Sequence, residues 1–196
     1  MIIGILGLQG AFFEHATILE QLKVRFLIVN KKEHFKKIDA LIIPGGESSV
    51  MGKFLETLDL LSTLQNFIFT EKKPVFGTCA GAILLSRTII DRENINQGLI
   101  PSIDCEIVRN PYGSHINSFI ESIQIKNIGW YDCVFIRAPR ILNCHNCKVW
   151  ASCNDCPIMI SNENILLCTF HPELINSKIH KLFINQFIKK PHNIEE

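Results

Sequence analysis

The sequence predicts an α/β protein whose central sheet is mostly parallel and carries an antiparallel extension. Three observations indicate this fold class: short apolar runs alternate with helical stretches, small-residue turns follow several of those runs, and segments of period two replace the alternation from about residue 103. Strands alternating with helices favour a parallel sheet covered on both faces. Period-two segments are typical of strands with one solvated face.

The composition fits a single domain over residues 1–196. Hydrophobic residues make up 47% of the chain and charged residues 20%, which is usual for a globular protein of this length. Lys and Arg number 20 against 19 for Asp and Glu, so the chain has no overall field to attract nucleic acid or an anionic membrane. No uncharged stretch reaches the roughly 18 residues of a membrane-spanning helix. We therefore expect neither nucleic acid nor membrane among the partners.

The N-terminus and the cysteines together favour the cytoplasm. The chain begins directly with an apolar run, without the basic region and small-residue cleavage site of a secretory signal. It contains 8 cysteines, but a chain of this size does not need a disulfide framework. We therefore expect a soluble cytoplasmic protein with reduced thiols.

The first half of the chain predicts a βαβ opening and two further strands. A strand over residues 2–8 turns at Gln9-Gly10 into an amphipathic helix over about residues 13–22, and a second strand spans residues 24–29. A third strand at residues 41–43 ends at Pro-Gly-Gly. A helical region over about residues 49–70 then precedes a short buried strand at residues 75–76.

The second half begins with a small-residue turn and a helix at residues 82–85. Residues 103–107 and 122–126 alternate with period two and predict solvent-facing or edge strands of the antiparallel extension. A buried strand over residues 165–170 runs into His-Pro-Glu. A final helix is predicted to bury apolar residues at helical spacing, namely Ile175, Ile179, Leu182, Phe183 and Phe187. Residues 191–196 are expected to fray.

Cys79 is the first candidate for chemistry. It lies in Gly-x-Cys-x-Gly between a predicted strand and a predicted helix, where small flanking residues permit the strained turn of a nucleophile elbow. The N-terminus of the following helix favours the thiolate form. A lone buried cysteine is more often an inert core residue, but the two glycines favour the nucleophile.

His171 is the candidate base. It follows a predicted strand at its C-terminal end, the edge where open α/β sheets place their sites. Glu173 is placed to accept the proton of the other ring nitrogen and to hold the useful tautomer. A strand-ending turn with solvated polar residues would explain His-Pro-Glu alone. Its pairing with the cysteine elbow predicts a Cys-His-Glu arrangement.

Residues 44–48, Pro-Gly-Gly-Glu-Ser, end the strand before the elbow strand and should lie beside Cys79. Glycine at this position lets a backbone N–H approach an oxyanion, and we assign that role to Gly46. The N–H of Ala80 is the second donor. The alternative is an ordinary turn before a helix capped by Ser48.

Six motifs occur in the order of a known family. They are Gly-Leu-Gln-Gly at 7–10, Pro-Gly-Gly-Glu-Ser at 44–48, Gly-Thr-Cys-Ala-Gly at 77–81, Arg-Asn at 109–110, Phe-Ile-Arg-Ala-Pro at 135–139 and Thr-Phe-His-Pro-Glu-Leu at 169–174. Together they resemble the PdxT/SNO family, the glutaminase subunits of pyridoxal 5'-phosphate synthase within the class I glutamine amidotransferases. The resemblance covers nearly the whole chain and implies a flavodoxin-like three-layer sandwich.

The resemblance also implies an activity and a partner. L-glutamine is hydrolysed to L-glutamate and ammonia, and the ammonia passes to a (β/α)8-barrel synthase subunit that makes pyridoxal 5'-phosphate. That compound is the partner's product, so no cofactor and no metal are expected in this chain. Motif matching gives Cys79 as the nucleophile and His171 and Glu173 as its relay.

The implied glutamine-binding residues are Gly46, Glu47, Ser48, Arg109, Ile136 and Arg137. A guanidinium at Arg109 or Arg137 suits the substrate α-carboxylate because it offers a planar pair of donors. The turn at Gln9 is implied to lie where the synthase docks and orders the oxyanion hole. We therefore expect the free subunit to be weakly active.

The chain departs from the family pattern in two places. Residues 113–115, Gly-Ser-His, replace a Gly-Arg-Gln-like stretch, and Ile120 follows Ser-Phe where the family often has glutamate. Because of these changes, the family pattern does not predict the polar contacts of the loop around residues 113–120.

The second departure is a pair of Cys-x2-Cys motifs, Cys144 with Cys147 and Cys153 with Cys156, whose spacing is typical of structural zinc sites. A strand at residues 148–152 would separate the two motifs by roughly 20 Å, too far for one zinc ion. We favour four free thiols, and a tight loop would allow one zinc site instead.

Two other functions stay open. One is a catalytically silent binding or redox-sensing module that retains the cysteine elbow, and the other is the glutaminase of another pathway, such as histidine biosynthesis. The presence of Glu47, His171 and Glu173 counts against the silent module. Leu-Gln-Gly and Ile-Arg-Ala-Pro count against a different pathway.

Overall fold

The computed structural model describes residues 1–90, 99–109, 111 and 118–189. The strands in this part of the chain are β1 (Ile3–Leu6), β2 (Phe26–Val29), β3 (Ala40–Ile43), β4 (Val75–Thr78), β5 (Ser86–Ile89), β6 (Ile103–Val108), β7 (Ser118–Ile125), β8 (Gly129–Ile136), β9 (Arg140–Cys144), β10 (Lys148–Cys153), β11 (Cys156–Ser161) and β12 (Ile165–Cys168). The helices are α1 (Phe12–Gln21), α2 (Lys32–Phe35), α3 (Ser48–Thr57), α4 (Leu61–Gln65), α5 (Ala80–Leu85) and α6 (Lys178–Phe183).

A seven-stranded sheet in the order β10-β11-β12-β4-β3-β1-β2 forms the centre. Strands β2, β1, β3, β4 and β12 are parallel, and β11 and β10 extend the sheet antiparallel at one edge. The parallel part has the 2-1-3-4-5 order of flavodoxin-like folds. This confirms the predicted mostly parallel sheet with its antiparallel extension.

Each face of this sheet carries its own core, because successive side chains of a strand point to opposite faces. Leu41 and Ile43 of β3 pack with α3, α4, α5 and the buried residues of β6, whereas Ala40 and Ile42 face the other core. That second core contains residues of α1, α6, β7 and β8. The result is the predicted three-layer sandwich.

Two small sheets cover the two faces. Strands β5, β6 and β9 form one, with β6 in the middle, and β7 and β8 form an antiparallel hairpin. The interpretation of residues 103–107 as a solvent-facing or edge strand is therefore only half right. The alternating residues of β6 are half-buried, but β5, which the sequence did not reveal, pairs along its other side.

The helical region predicted over residues 49–70 is interrupted. Helix α3 ends in a Schellman arrangement, with Asp59 at φ 53 and the N–H of Leu60 donating to the carbonyl of Leu55 at 2.8 Å. Helix α4 then begins at Leu61 and continues as a π-helical turn, Asn66–Thr70.

The final helix also differs from the prediction. Ile175 was expected to be buried on it, but it lies before α6 and is 36% exposed. The reason is local: the side-chain Oδ1 of Asn176 accepts the N–H of Lys178 at 3.0 Å, so the helix starts after Ile175. The other four predicted residues, Ile179, Leu182, Phe183 and Phe187, are buried as expected.

Two features discussed from the sequence lie outside the described residues: the departures at residues 113–115 and the fraying expected at residues 191–196. Within the described ranges, the helices are too short or too polar to cross a bilayer.

Candidate active site

Cys79 occupies a strained turn between β4 and α5. Its backbone has φ 47 and ψ −101, a conformation that costs energy for a residue with a side chain and is typical of functional sites. A Cβ added to Gly81 would overlap the carbonyl oxygen of Ile43, and one on Gly77 would lie 2.9 Å from the carbonyl oxygen of Gly81. Both glycines of Gly-x-Cys-x-Gly are therefore required by close backbone packing, as the elbow interpretation expects.

His171 and Glu173 lie beside Cys79, at the carboxyl end of β12. Cys79 lies close enough to His171 to raise the pKa of its imidazole, and Nδ1 of His171 lies 2.7 Å from Oε1 of Glu173. The turn Pro172–Leu174 brings Glu173 back under the ring. The N–H of His171 donates to the carbonyl of Val134 at 2.9 Å, which ties the turn to β8. Cysteine, imidazole and carboxylate thus form one line.

The charge state of His171 is set by competing effects. Burial lowers its pKa, but the hydrogen bonds to Cys79 and Glu173 and the negative charges of both partners outweigh this and raise the pKa to about 10. The ring is therefore an imidazolium at neutral pH. The arrangement can hold a nucleophilic thiolate and deliver a proton to a leaving group.

A cavity of about 250 Å³ opens directly onto this line. It is smaller than most sites for drug-sized ligands and suits a small metabolite. Its lining includes Cys79 and His171 together with all six residues predicted to bind substrate: Gly46, Glu47, Ser48, Arg109, Ile136 and Arg137. The structure thus brings together residues that the sequence places on five separate segments.

The cavity has a polar wall and charged groups. The carbonyl of Ile136 lies 4.0 Å from Sγ of Cys79. The next residue, Arg137, has a left-handed backbone with φ 45, a strained conformation that the sequence did not reveal. The carboxyl group of Glu47 accepts the hydroxyl of Ser49 at 3.3 Å. Two guanidinium groups and one carboxylate complement a zwitterion.

The side chain of Gln9 is hydrogen-bonded to the loop that carries Gly46. Its Oε1 accepts the N–H of Glu47 at 2.7 Å, and the N–H of Ala11 donates to the carbonyl of Gly45 at 3.0 Å. Gly10 approaches so closely, at φ 95, that a Cβ there would overlap the same carbonyl. Any shift of the turn after β1 therefore moves the backbone of residues 45–47.

Ala80, the second predicted oxyanion donor, is the first residue of α5. Backbone N–H groups in the first turn of a helix have no acceptor within the helix. Glu47 rather than Ser48 occupies the N-cap position of α3, and Ser48 is the first residue of that helix.

Three side chains behind Glu173 were missed by the sequence analysis. His15 of α1, Thr78 of β4 and His180 of α6 are buried next to one another. Their positions on apolar helix and strand faces signal burial, but only the folded chain shows that they meet behind the carboxylate.

The four clustered cysteines lie at opposite ends of β10, the strand that the sequence predicted between them. Cys153 and Cys156 face each other across the β10–β11 turn, whereas the thiol of Cys147 donates to carbonyls at the other end. All eight cysteines are free. Burial, chiefly, raises the pKa of Cys147 and of Cys153 to about 11. The separation places the two pairs too far apart to share one ion.

Comparison with known proteins identifies the family. A model of the SNO glutamine amidotransferase family matches residues 5–189. The chain belongs to the SNO glutamine amidotransferase family. Curated relatives include pyridoxal 5'-phosphate synthase subunit PdxT of Thermosipho africanus, 40% identical over 97% of this chain and 100% of the relative. PdxT of Caldicellulosiruptor bescii is 42% identical over 95% of this chain and 98% of its own length.

Two solved structures show the same fold. A crystal structure of a glutamine amidotransferase matches with a TM-score of 0.88 and 33% identity, covering 94% of this chain and 98% of that one. PurLQS from Thermotoga maritima has a TM-score of 0.70 at 13% identity, over 94% of this chain and 97% of that chain. At that identity the second match shows a common fold only. The predicted class I glutamine amidotransferase fold is confirmed.

Proposed function

We propose that this protein is the glutaminase subunit of a pyridoxal 5'-phosphate synthase. It hydrolyses L-glutamine to L-glutamate and ammonia and passes the ammonia to a synthase subunit. The observation that carries the proposal is the line Cys79–His171–Glu173, which opens onto a cavity lined by every residue that the family resemblance assigns to glutamine. Family membership and the names of the curated relatives support the pathway.

The first half of the reaction forms a thioester. The Cys79 thiolate attacks the side-chain carbonyl carbon of glutamine, and the oxygen that becomes negative accepts hydrogen bonds from the N–H groups of Gly46 and Ala80. His171, held by Glu173, gives a proton to the amide nitrogen. The C–N bond then breaks, ammonia leaves, and a glutamyl group stays on Cys79.

The second half regenerates the enzyme. The now neutral His171 takes a proton from water as the water oxygen attacks the thioester carbonyl. The C–S bond breaks, glutamate leaves and the Cys79 thiolate returns beside an imidazolium. One glutamine and one water give one glutamate and one ammonia, so no cofactor or metal is required.

Binding of the substrate follows from the charges in the cavity. A guanidinium of Arg109 or Arg137 suits the α-carboxylate, and the carboxylate of Glu47 suits the α-ammonium group. Gly46 and Ser48 lie beside Glu47, and Ile136 lines the wall next to Cys79. The zwitterionic end of glutamine would thereby be held away from Cys79 while its amide reaches the thiolate.

The partner is proposed to be a (β/α)8-barrel synthase subunit, as the family resemblance implies. Docking near Gln9 would order the oxyanion loop, because Gln9 already binds the backbone N–H of Glu47 and moves with residues 45–47. An unpartnered glutaminase would waste substrate, so coupling hydrolysis to docking has a clear advantage.

The remaining assignments are also proposals. We propose that residues 1–196 act as one domain, supported by the two cores that share a single sheet. We place the protein in the cytoplasm, supported by eight free cysteines, a set that stays reduced in that compartment.

The test is ammonia release from L-glutamine by the full chain, measured with and without the barrel subunit. We expect weak release alone and strong release with the synthase, and no release from either when Cys79 is replaced by serine. Absence of ammonia in the presence of a correctly assembled synthase would contradict the proposal and favour the silent module.

A further inference from the structure

Two buried histidines stand behind the carboxylate of Glu173. His15 comes from α1 and His180 from α6, and their side chains are 0% and 1% exposed. Oε1 of Glu173 is used by His171, but its Oε2 is buried and has no hydrogen-bond partner in the described part of the chain. A buried carboxylate oxygen without a hydrogen-bond donor destabilises the folded protein, so the side chains that face this oxygen are candidates to bind it.

His15 is the group nearest to that oxygen. Its Nε2 lies 3.6 Å from Oε2 of Glu173 and 3.2 Å from Oγ1 of Thr78. Its Nδ1 lies 2.8 Å from Nε2 of His180. Phe76 packs edge-on against both imidazoles, at interplanar angles of 83° and 82°. The rings are therefore fixed in position, and a shift of less than 1 Å would bring Nε2 within hydrogen-bond distance of Oε2.

Both rings are neutral. Burial and the charges of His180 and His171 lower the pKa of His15 well below its usual value, and burial lowers the pKa of His180 to about 3. A neutral imidazole has one N–H donor and one nitrogen acceptor. The direction of the hydrogen bond between the two rings therefore decides which of the remaining ring nitrogens carries a hydrogen.

Only one direction suits the carboxylate. If His15 donated from Nδ1, its Nε2 would point a lone pair at Oε2 of Glu173, and His180 would keep a buried N–H without an acceptor. If His180 donates from Nε2 to Nδ1 of His15, then Nε2 of His15 carries the hydrogen, with Oγ1 of Thr78 at 3.2 Å and Oε2 of Glu173 at 3.6 Å as the acceptors that face it. In the second arrangement Nδ1 of His180, which has no hydrogen-bond partner among the described residues, carries a lone pair instead of an N–H, and an unpaired acceptor is the smaller cost.

We propose that His15 and His180 are positioning residues of the glutaminase, with His180 orienting His15 and His15 donating Nε2–H to Oε2 of Glu173. This inference rests on the proposed function. With a donor on each oxygen, the carboxylate of Glu173 cannot rotate, and His171 keeps the orientation that proton transfer to and from Cys79 requires. The relay then runs from the cavity to α6 through five side chains.

The test replaces His15 by glutamine or by methionine in the full chain with the synthase present. The amide nitrogen of glutamine reaches about the position of Nε2 and restores a donor, whereas methionine fills similar space without one. We expect His15→Met to lower kcat by about 10- to 100-fold, the loss usual when the hydrogen-bond partner that orients a metal-binding side chain is removed, with KM for glutamine little changed. His15→Gln should stay within about threefold of the parent, a rescue that a purely structural role would not produce.

A spectroscopic readout separates this inference from the proposed function. Nδ1 of His171 lies 2.7 Å from Oε1 of Glu173, so its proton should give a downfield NMR resonance in the free subunit, whether or not glutamine is hydrolysed. In His15→Met that resonance should move upfield and exchange faster with solvent, and in His15→Gln it should remain. An unchanged resonance together with unchanged kcat in His15→Met would overturn the inference while leaving the glutaminase assignment intact.

His180 provides a second, independent check. Because His180 acts through His15, His180→Met should lower kcat by less than His15→Met, and the double variant should lose no more than His15→Met alone. Additive losses in the double variant would show that the two histidines act separately and would contradict the relay. His145→Gln, an exposed histidine, serves as the control and should leave kcat unchanged.

Discussion

At the scale of single residues, backbone conformation distinguishes Cys79 from the other cysteines. Cys105 and Cys133 are buried, and burial raises the pKa of each thiol to about 12, which keeps them inert at neutral pH. Cys79 is the one cysteine of the eight with a positive φ, and it lines the same cavity as His171. Local sequence was sufficient to single it out, because the flanking glycines are what make that conformation possible.

The first prediction concerns the nucleophile. Cys79→Ser should leave the circular dichroism spectrum unchanged and lower glutamine hydrolysis by at least about 10³-fold, since a hydroxyl is a poor nucleophile in a site arranged for a thiolate. Cys156→Ser is the matched control and should retain full activity, as should the other cysteines outside the cavity. A well-folded Cys79→Ser protein with most of its ammonia release would refute the assignment.

The second prediction concerns His171 and Glu173. His171→Asn should reduce activity more than Glu173→Gln, because the first removes the base while the second leaves an imidazole that is poorly oriented. Glutamine binding, measured by calorimetry, should survive both changes. Parent-level hydrolysis by either variant in the presence of the synthase would show that the relay is misassigned.

The raised pKa of His171 also predicts a pH dependence of stability. The folded-state value of about 10 lies above the unfolded value near 6.5, so the imidazolium stabilises the fold fully below about pH 6.5. This contribution is lost as the pH rises toward 10. The difference in Tm between the parent and His171→Asn should therefore shrink between pH 7 and pH 10. A constant difference would argue against the ion pair.

At the scale of elements, the sequence could predict those whose pattern is local. The early parallel strands and α1 follow from apolar runs and helical periodicity. The break between α3 and α4 could not be predicted in this way, because it depends on the left-handed backbone of Asp59. Glycine is the usual residue in that conformation, and the sequence has no glycine at this position. Strand β5 was not predicted, because it forms by pairing with β6, which is distant from it in the sequence.

The third prediction concerns the packing of the elbow between β3 and α5. Gly81→Ala places a Cβ into the carbonyl of Ile43, which should destabilise the protein by about 1–3 kcal/mol, as overpacking does, and lower activity by displacing Cys79. Gly129→Ala is the control: its φ of 86 is unfavourable for alanine, but nothing lies near its Cβ. That variant should lose some stability, by thermal melting, and no activity. Equal activity in both variants would contradict this account of the elbow.

At the scale of the whole molecule, the site is assembled where the segments that follow β1, β3, β4, β6, β8 and β12 meet. The sequence predicted most of the members because each carries a motif next to a strand end. It did not predict the hydrogen bond from the backbone N–H of Glu47 to the side chain of Gln9 or the contact of His15 with His180. Both contacts join distant segments through side chains, and no local pattern encodes such a pairing.

The fourth prediction concerns control by the partner. In kinetics of glutamine hydrolysis with and without the barrel subunit, kcat/KM should rise strongly on docking for the parent. Gln9→Ala should reduce that rise without preventing complex formation, because it removes the acceptor of the Glu47 N–H. A free subunit already as active as the complex would reject partner control and indicate a preformed oxyanion hole.

The central claim is that glutamine is cleaved through a glutamyl thioester on Cys79. The most direct measurement is acid quenching of the complete synthase during glutamine turnover, followed by mass spectrometry of the peptides that carry the eight cysteines. The account predicts a glutamyl adduct on the peptide containing Cys79 and on no other, and its disappearance in Cys79→Ser. Turnover of glutamine with no adduct on Cys79, or with an adduct on a different cysteine, would contradict it.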